Sequence, residues 1–205
     1  MIICAGKSEQ FDFAHPVGIG LIEAAVNLTR ICELGKPEHI VFVGTAGSYG
    51  EKEIFDIVES RVAANVEQSF FEGNAYTPID NVISSTEDVS RETREAESNS
   101  LDSVGLKPER WSNVTREGGE TVVNSSNYIT TNKEIWEHYT AQNIHIENME
   151  FYAVMKVAQM FGIPVAGIFI VTNYCDAQAH EDFKKNHAEA MKRLTVYVKA
   201  RAGQQ

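Results

Sequence analysis

Hydrophobic positions along the chain alternate between short β-branched runs and helical stripes. Met1–Ala5 is an apolar run that predicts a buried strand, and Phe11–Ala14 alternates as a second strand would. Gly18-Ile19-Gly20 opens a helical pattern over Leu21–Leu34, with Ile22, Ala25, Leu28 and Ile31 or Cys32 on its apolar stripe and Gly35 and Pro37 as its stop. His39–Val43 reads as a central parallel strand that ends in a small-residue turn, Gly44-Thr45-Ala46-Gly47. Ile54–Ala64 holds one or two further strands, Thr121–Val123 and Ile144–Ile146 are short strands, and Asn132–Tyr139 is helical. Glu150–Phe161 is a helix stopped by Gly162 and Pro164, and Val165–Val171 is a second buried strand. From Ala179 to Lys199 an amphipathic helix places Phe183, His187, Met191, Leu194 and Val198 on one face. Glu67–Pro108 is polar, and its Ser-, Glu- and Arg-rich part, Ser84–Ser100, is a candidate mobile loop. Alternating strands and helices predict an α/β fold, a three-layer α/β/α sandwich, in one domain over residues 1–205.

Composition narrows the function classes. Hydrophobic residues make up 43% and charged residues 23%, an ordinary globular balance. A net charge of -11 disfavours nucleic acid or an anionic membrane as the main partner. The 3 cysteines, Cys4, Cys32 and Cys175, have no paired spacing, and no secretory signal or membrane span is visible, so reduced thiols in a cytoplasmic protein are expected. His145, His180 and His187 fall into no metal-ligand spacing, so no metal is expected.

Polar clusters at the ends of predicted strands carry the candidate chemistry. In open α/β sheets ligands bind beyond the carboxyl ends of the strands, so Asn148-Met149-Glu150 and Val171-Thr172-Asn173-Tyr174-Cys175-Asp176 should face one crevice. A carboxylate suits a sugar's vicinal hydroxyls because it only accepts, and an Asn can address a heterocyclic base. Each cluster also has a plain structural reading. Gly44–Gly47 is then a tight turn, Glu150 a first-turn acid favoured by the helix dipole, Asn173 a strand-end turn residue, and Tyr128 simple packing.

The order of GIG before a helix, GTAG after a strand, NSSNYI, NME before a helix and TNYCD after a strand resembles the purine nucleoside phosphorylase and nucleosidase superfamily. The pattern is most similar to the 5′-methylthioadenosine/S-adenosylhomocysteine nucleosidase branch, over residues 17–65 and 120–200. The resemblance implies the phosphorylase/hydrolase-like fold with a mixed central sheet. It implies cleavage of a purine nucleoside's N-glycosidic bond in a homodimer or larger homo-oligomer, with no cofactor beyond phosphate as co-substrate should the enzyme be a phosphorylase.

Residue by residue, the resemblance implies that Met149 and Glu150 hold the ribose and that Thr45, Ala46 and Gly47 line its anomeric side. It sets Tyr128 and Ile129 against the base, and Phe70 against the sugar's 5′ side. Asn173, beside Thr172, matches a position where many members carry the Asp that protonates purine N7. An amide cannot deliver that proton, and members acting on 6-oxopurines carry Asn in the equivalent role, so Asn173 points to a 6-oxopurine. The nucleosidases use an N-terminal Glu to activate water, and Glu9 is the candidate for that role before GIG, in a passage shorter than the family's. Asn148 stands where a further Glu is common. The hexameric phosphorylases' Gly-Asp-Pro-x-Arg signature and the Arg before their glycine turn are missing, with Phe42 at the latter position. Three readings follow: hydrolysis by water, phosphorolysis with a cation from elsewhere, and non-catalytic nucleoside binding.

Overall fold

The computed structural model describes residues 1–85 and 120–202. Its strands are β1 (Ile2–Cys4), β2 (His15–Pro16), β3 (Ile40–Ser48), β4 (Ile57–Ser60), β5 (Val62–Ala64), β6 (Val82–Ser84), β7 (Val122–Ser125), β8 (Ile144–Asn148) and β9 (Val165–Tyr174). The α-helices are α1 (Gly20–Leu34), α2 (Gln68–Phe71), α3 (Trp136–Thr140), α4 (Phe151–Phe161) and α5 (Ala179–Ala202). A 3-10 turn at Lys133–Ile135, capped by the Asn132 side chain, leads into α3.

β3 is the spine of one mixed sheet. Along its length it pairs parallel with β9, from Ile40 opposite Val165 to Ser48 opposite Tyr174. Its other edge is shared: β1 runs parallel beside Val41 and Phe42, whereas β8 runs antiparallel beside Gly47 and Ser48. The sheet continues from β8 through β7 and β5 to β6, and β4 closes the far side antiparallel to β9.

The period of two along β3 and β9 sorts their side chains into two cores. Phe42, Phe169 and Val171 pack with Leu28 of α1 and with Phe151, Val154 and Val157 of α4. Val43, Ile168 and Ile170 instead pack with Ala190, Leu194 and Val198 of α5. Strands covered on both faces must be apolar throughout, which is why HIVFV and VAGIFIV read as unbroken runs. The result is the three-layer α/β/α sandwich that the alternation predicts, with the mixed sheet that the resemblance implies. Among the described residues, no helix is long and apolar enough to cross a membrane.

Several local expectations are corrected. Phe11–Ala14 is not a strand: the Phe11 and Phe13 rings meet tilted at 5.2 Å, Phe11 buried in the α5-side core and Phe13 packed against it, and the alternation reflects two anchors in a turn. Gly44–Gly47 is not a turn but the continuation of β3, with a bulge between Ala46 and Gly47. β9 likewise runs on through Thr172, Asn173 and Tyr174. Ile22 is 73% exposed, because the buried stripe of α1 runs through Ala24, Leu28 and Cys32. The loop expected at Ser84–Ser100 falls almost wholly outside the described residues.

Candidate active site

The bulged end of β3 is where the site is assembled. A cavity of about 260 Å³ opens there, bounded by the turn after β1, the ends of β3, β8 and β9, the loop after β7 and the first turn of α5. Glu9, Thr45, Ala46, Gly47, Tyr128, Ile129, Met149, Glu150 and Asn173 all line it. Glu150 and Asn173, 23 positions apart in the numbering, thus face one space.

Glu9 arrives by a tight turn in which Gly6 and Glu9 exchange backbone hydrogen bonds. Its carboxylate lies across β3, where the Thr45 N–H donates to Oε2 at 3.0 Å and the Thr45 hydroxyl donates to Oε1. A Cβ at Gly44 would come within 3.0 Å of Glu9 Oε2, so this glycine is what lets the acid approach the strand. The small residues of GTAG therefore admit side chains rather than form a turn.

Glu150 sits just ahead of α4 and is 3% exposed. One of its oxygens accepts the Gly20 N–H, at the start of α1, at 2.8 Å. Burial pushes its carboxyl up to about 7; the nearby Glu9 adds to the rise, and the hydrogen bonds from Gly20, Asn148 and Met149 oppose it. Asn148 supplies the helix cap: its Oδ1 accepts the N–H groups of Glu150 at 2.8 Å and Phe151 at 2.9 Å. Its amide nitrogen donates to the Thr45 carbonyl at 3.2 Å, tying the start of α4 to the strand that holds Glu9.

At the other end, Asn173 is fixed by its own strand. Thr172 Oγ1 donates to Asn173 Oδ1 at 2.9 Å, and Asn173 Nδ2 donates to the Tyr174 carbonyl at 3.1 Å. Each amide atom keeps one further hydrogen-bonding direction. Thr172, expected against the substrate, is instead fully buried and absent from the cavity lining. A Cβ at Gly47 would meet Cys175 Sγ at 2.9 Å and Asn173 Nδ2 at 3.0 Å. Gly47→Ala is thus expected to cost about 1–3 kcal/mol of stability, read as a lower Tm, and to displace the Asn173 amide.

Tyr128 and Ile129 stand at the mouth, 78% and 52% exposed. Phe70 is not among the lining residues: it packs in the cluster of Tyr49, Tyr139 and Ile135, beside Phe71. Asp176 is absent from the lining too, and its carboxylate accepts the Gln178 N–H at 2.8 Å ahead of α5.

Several lining residues were outside the predicted set, among them Glu147, His180 and Phe183. Phe183 was hidden in the amphipathic stripe of α5. Glu147 carried a signal, since a carboxylate at the end of a buried strand, directly before Asn148-Met149-Glu150, demands partners.

The family model of the phosphorylase superfamily matches residues 3–201. No curated protein sequence matches the chain. Among solved structures, a mutant of the Helicobacter pylori futalosine hydrolase superposes with a TM-score of 0.72 at 16% identity, covering 100% of this chain and 98% of that one. The Helicobacter pylori 5′-methylthioadenosine/S-adenosylhomocysteine nucleosidase with butyl-thio-DADMe-Immucillin-A gives 0.70 at 16%, covering 100% and 97%. The Streptococcus pneumoniae MTA/SAH nucleosidase with 8-aminoadenine gives 0.65 at 14%, covering 96% and 95%. At such identities the likeness is one of fold.

Proposed function

The chain belongs to the phosphorylase superfamily, and from that membership we propose that it hydrolyses the N-glycosidic bond of a purine nucleoside, with water as nucleophile. One observation carries the choice of water over phosphate. The Thr45 N–H and hydroxyl, the donors that a phosphate at this strand end would need, are both taken by the Glu9 carboxylate. A phosphate dianion would also have to sit among Glu9, Glu147 and Glu150, which line the same cavity. The similar structures, a futalosine hydrolase and two nucleosidases, support this reading.

In the proposed reaction Glu150 accepts hydrogen bonds from the ribose hydroxyls, and its charge stabilises the positive charge developing on the sugar. Glu9, held by two donors, takes a proton from a water beneath C1′. The water oxygen bonds to C1′, and the C1′–N9 bond breaks with its electron pair passing to the purine. The base then takes a proton from solvent. Asn173 assists by hydrogen bonding as charge moves onto the ring, which favours a 6-oxopurine leaving group. A homo-oligomer is part of the proposal: Ile22, Val26, Tyr128 and Ile129 are large apolar side chains left exposed.

The test is inosine turnover with and without inorganic phosphate. Hydrolysis predicts free ribose and hypoxanthine at a rate that phosphate does not raise. Strict phosphate dependence with ribose 1-phosphate as product would replace this reading by phosphorolysis.

A further inference from the structure

We propose that Asn148 is a positioning residue for the reaction: one neutral amide sets the Glu150 carboxylate and ties it to the strand that holds Glu9. The assignment rests on the hydrolase reading above and adds a side chain to which that reading gives no part. Asn148 ends β8, is 8% exposed, and lines the cavity beside Glu150. Its Oδ1 accepts the N–H groups of Glu150 and Phe151, which fixes where α4 begins and so where the acid leaves the backbone. Its Nδ2 reaches the other way and donates to the Thr45 carbonyl, while the N–H of the same Thr45 holds Glu9. The two acids of the proposed reaction are thus linked through two residues, Thr45 and Asn148.

Charge makes this amide hard to replace. Glu9, Glu147 and Glu150 line one cavity, and the described lining residues include no lysine or arginine. His180 on α5 and the Tyr128 phenol are the other ionisable side chains there. Glu23, in the first turn of α1, accepts the nearby Ile19 N–H at 3.1 Å. The charge on Glu150 is therefore held by hydrogen-bond donors rather than by a fixed cation. Gly20 and Met149 give backbone N–H groups, which no change of side chain removes, and Asn148 gives a side-chain donor.

An asparagine amide has two acceptor directions on its oxygen and two N–H groups on its nitrogen. Here all four are used: the oxygen caps α4, one N–H goes to Thr45, and the other serves the Glu150 carboxylate. Aspartate could cap but would turn an acceptor toward Thr45 and a charge toward Glu150. Serine could cap but is too short to span the rest.

Asn148→Asp and Asn148→Ser separate this role from helix capping, since both side chains still cap and neither carries the amide. On inosine, wild-type kcat/KM is expected to rise with pH through about 7. Both variants should move that rise upward by about one pH unit, more in Asn148→Asp, where a like charge is added. At pH 7 this lowers kcat/KM about fivefold or more, with recovery by about pH 9. A residue that only caps would leave the rise in place. Melting curves read the same contact without turnover. The fall in wild-type Tm with rising pH should level off above about 7, and that of Asn148→Ser about one pH unit higher. Should Asn148→Asp fail to fold, Asn148→Ser carries both measurements. A rise and a levelling at the wild-type pH would overturn the assignment. A shifted levelling with no inosine turnover by the wild type would uphold the Asn148–Glu150 contact and overturn the hydrolase reading instead.

Discussion

Glu9→Gln is expected to lower kcat on inosine by about 10²–10⁴-fold, the usual worth of a positioned general base, with KM little changed. The substitution keeps the shape of the side chain, and its amide oxygen can still accept from Thr45. It removes the capacity to take a proton from water. The two Thr45 donors make the wild-type carboxylate a preorganised group, aimed before substrate arrives. Steady-state kinetics at saturating nucleoside, with Tm measured alongside, separate this loss from unfolding. A variant with wild-type kcat would mean that another group receives the proton, and the assignment of Glu9 would fall. Thr45→Val should reproduce part of the loss by freeing Glu9 from its hydroxyl anchor.

The sequence was most legible where one local cause set one local structure. His39–Val43 and Val165–Val171 are apolar because the strands are covered on both faces, and α4 stops at Gly162, whose φ of 62° few other residues adopt readily. The Glu150–Asn173 pairing was legible as well, since strand ends in such a sheet converge. What escaped depended on contacts distant in sequence. Glu9 and Thr45 are 36 positions apart, and nothing in either segment announces that Gly44 is small in order to admit a carboxylate. The same cause made Gly44–Gly47 resemble a turn, because glycines that clear space and glycines that bend the chain look alike. Phe11 and Phe13 imitated a strand for a related reason, as two core-packed anchors, one buried and one partly so, with a single residue between them. Glu147 was passed over inside HIEN, where the apolar alternation of Ile144 and Ile146 dominated the reading.

Glu150→Gln is expected to separate activity from stability, and pH makes the separation measurable. Removing the carboxylate should lower kcat/KM by about 10²–10³-fold, comparable to losing one group that stabilises transition-state charge. In the wild type kcat/KM should rise with pH through about 7, as the buried acid ionises. Stability should run the other way. Burial lifts this carboxyl from 4.5 in the unfolded chain to about 7 in the folded one, so between those values the folded chain holds a proton that the unfolded chain has lost. Stability is therefore full below 4.5, falls as pH rises, and levels off above 7, a change of about 3 kcal/mol at 1.36 kcal/mol per pH unit. Glutamine carries no such proton. The variant should match the wild type below pH 4.5 and melt at a higher temperature above pH 7, where it is nearly inactive. Melting curves for both proteins across this range check it: parallel curves would show that Glu150 titrates as an ordinary carboxylate and that burial exacts nothing.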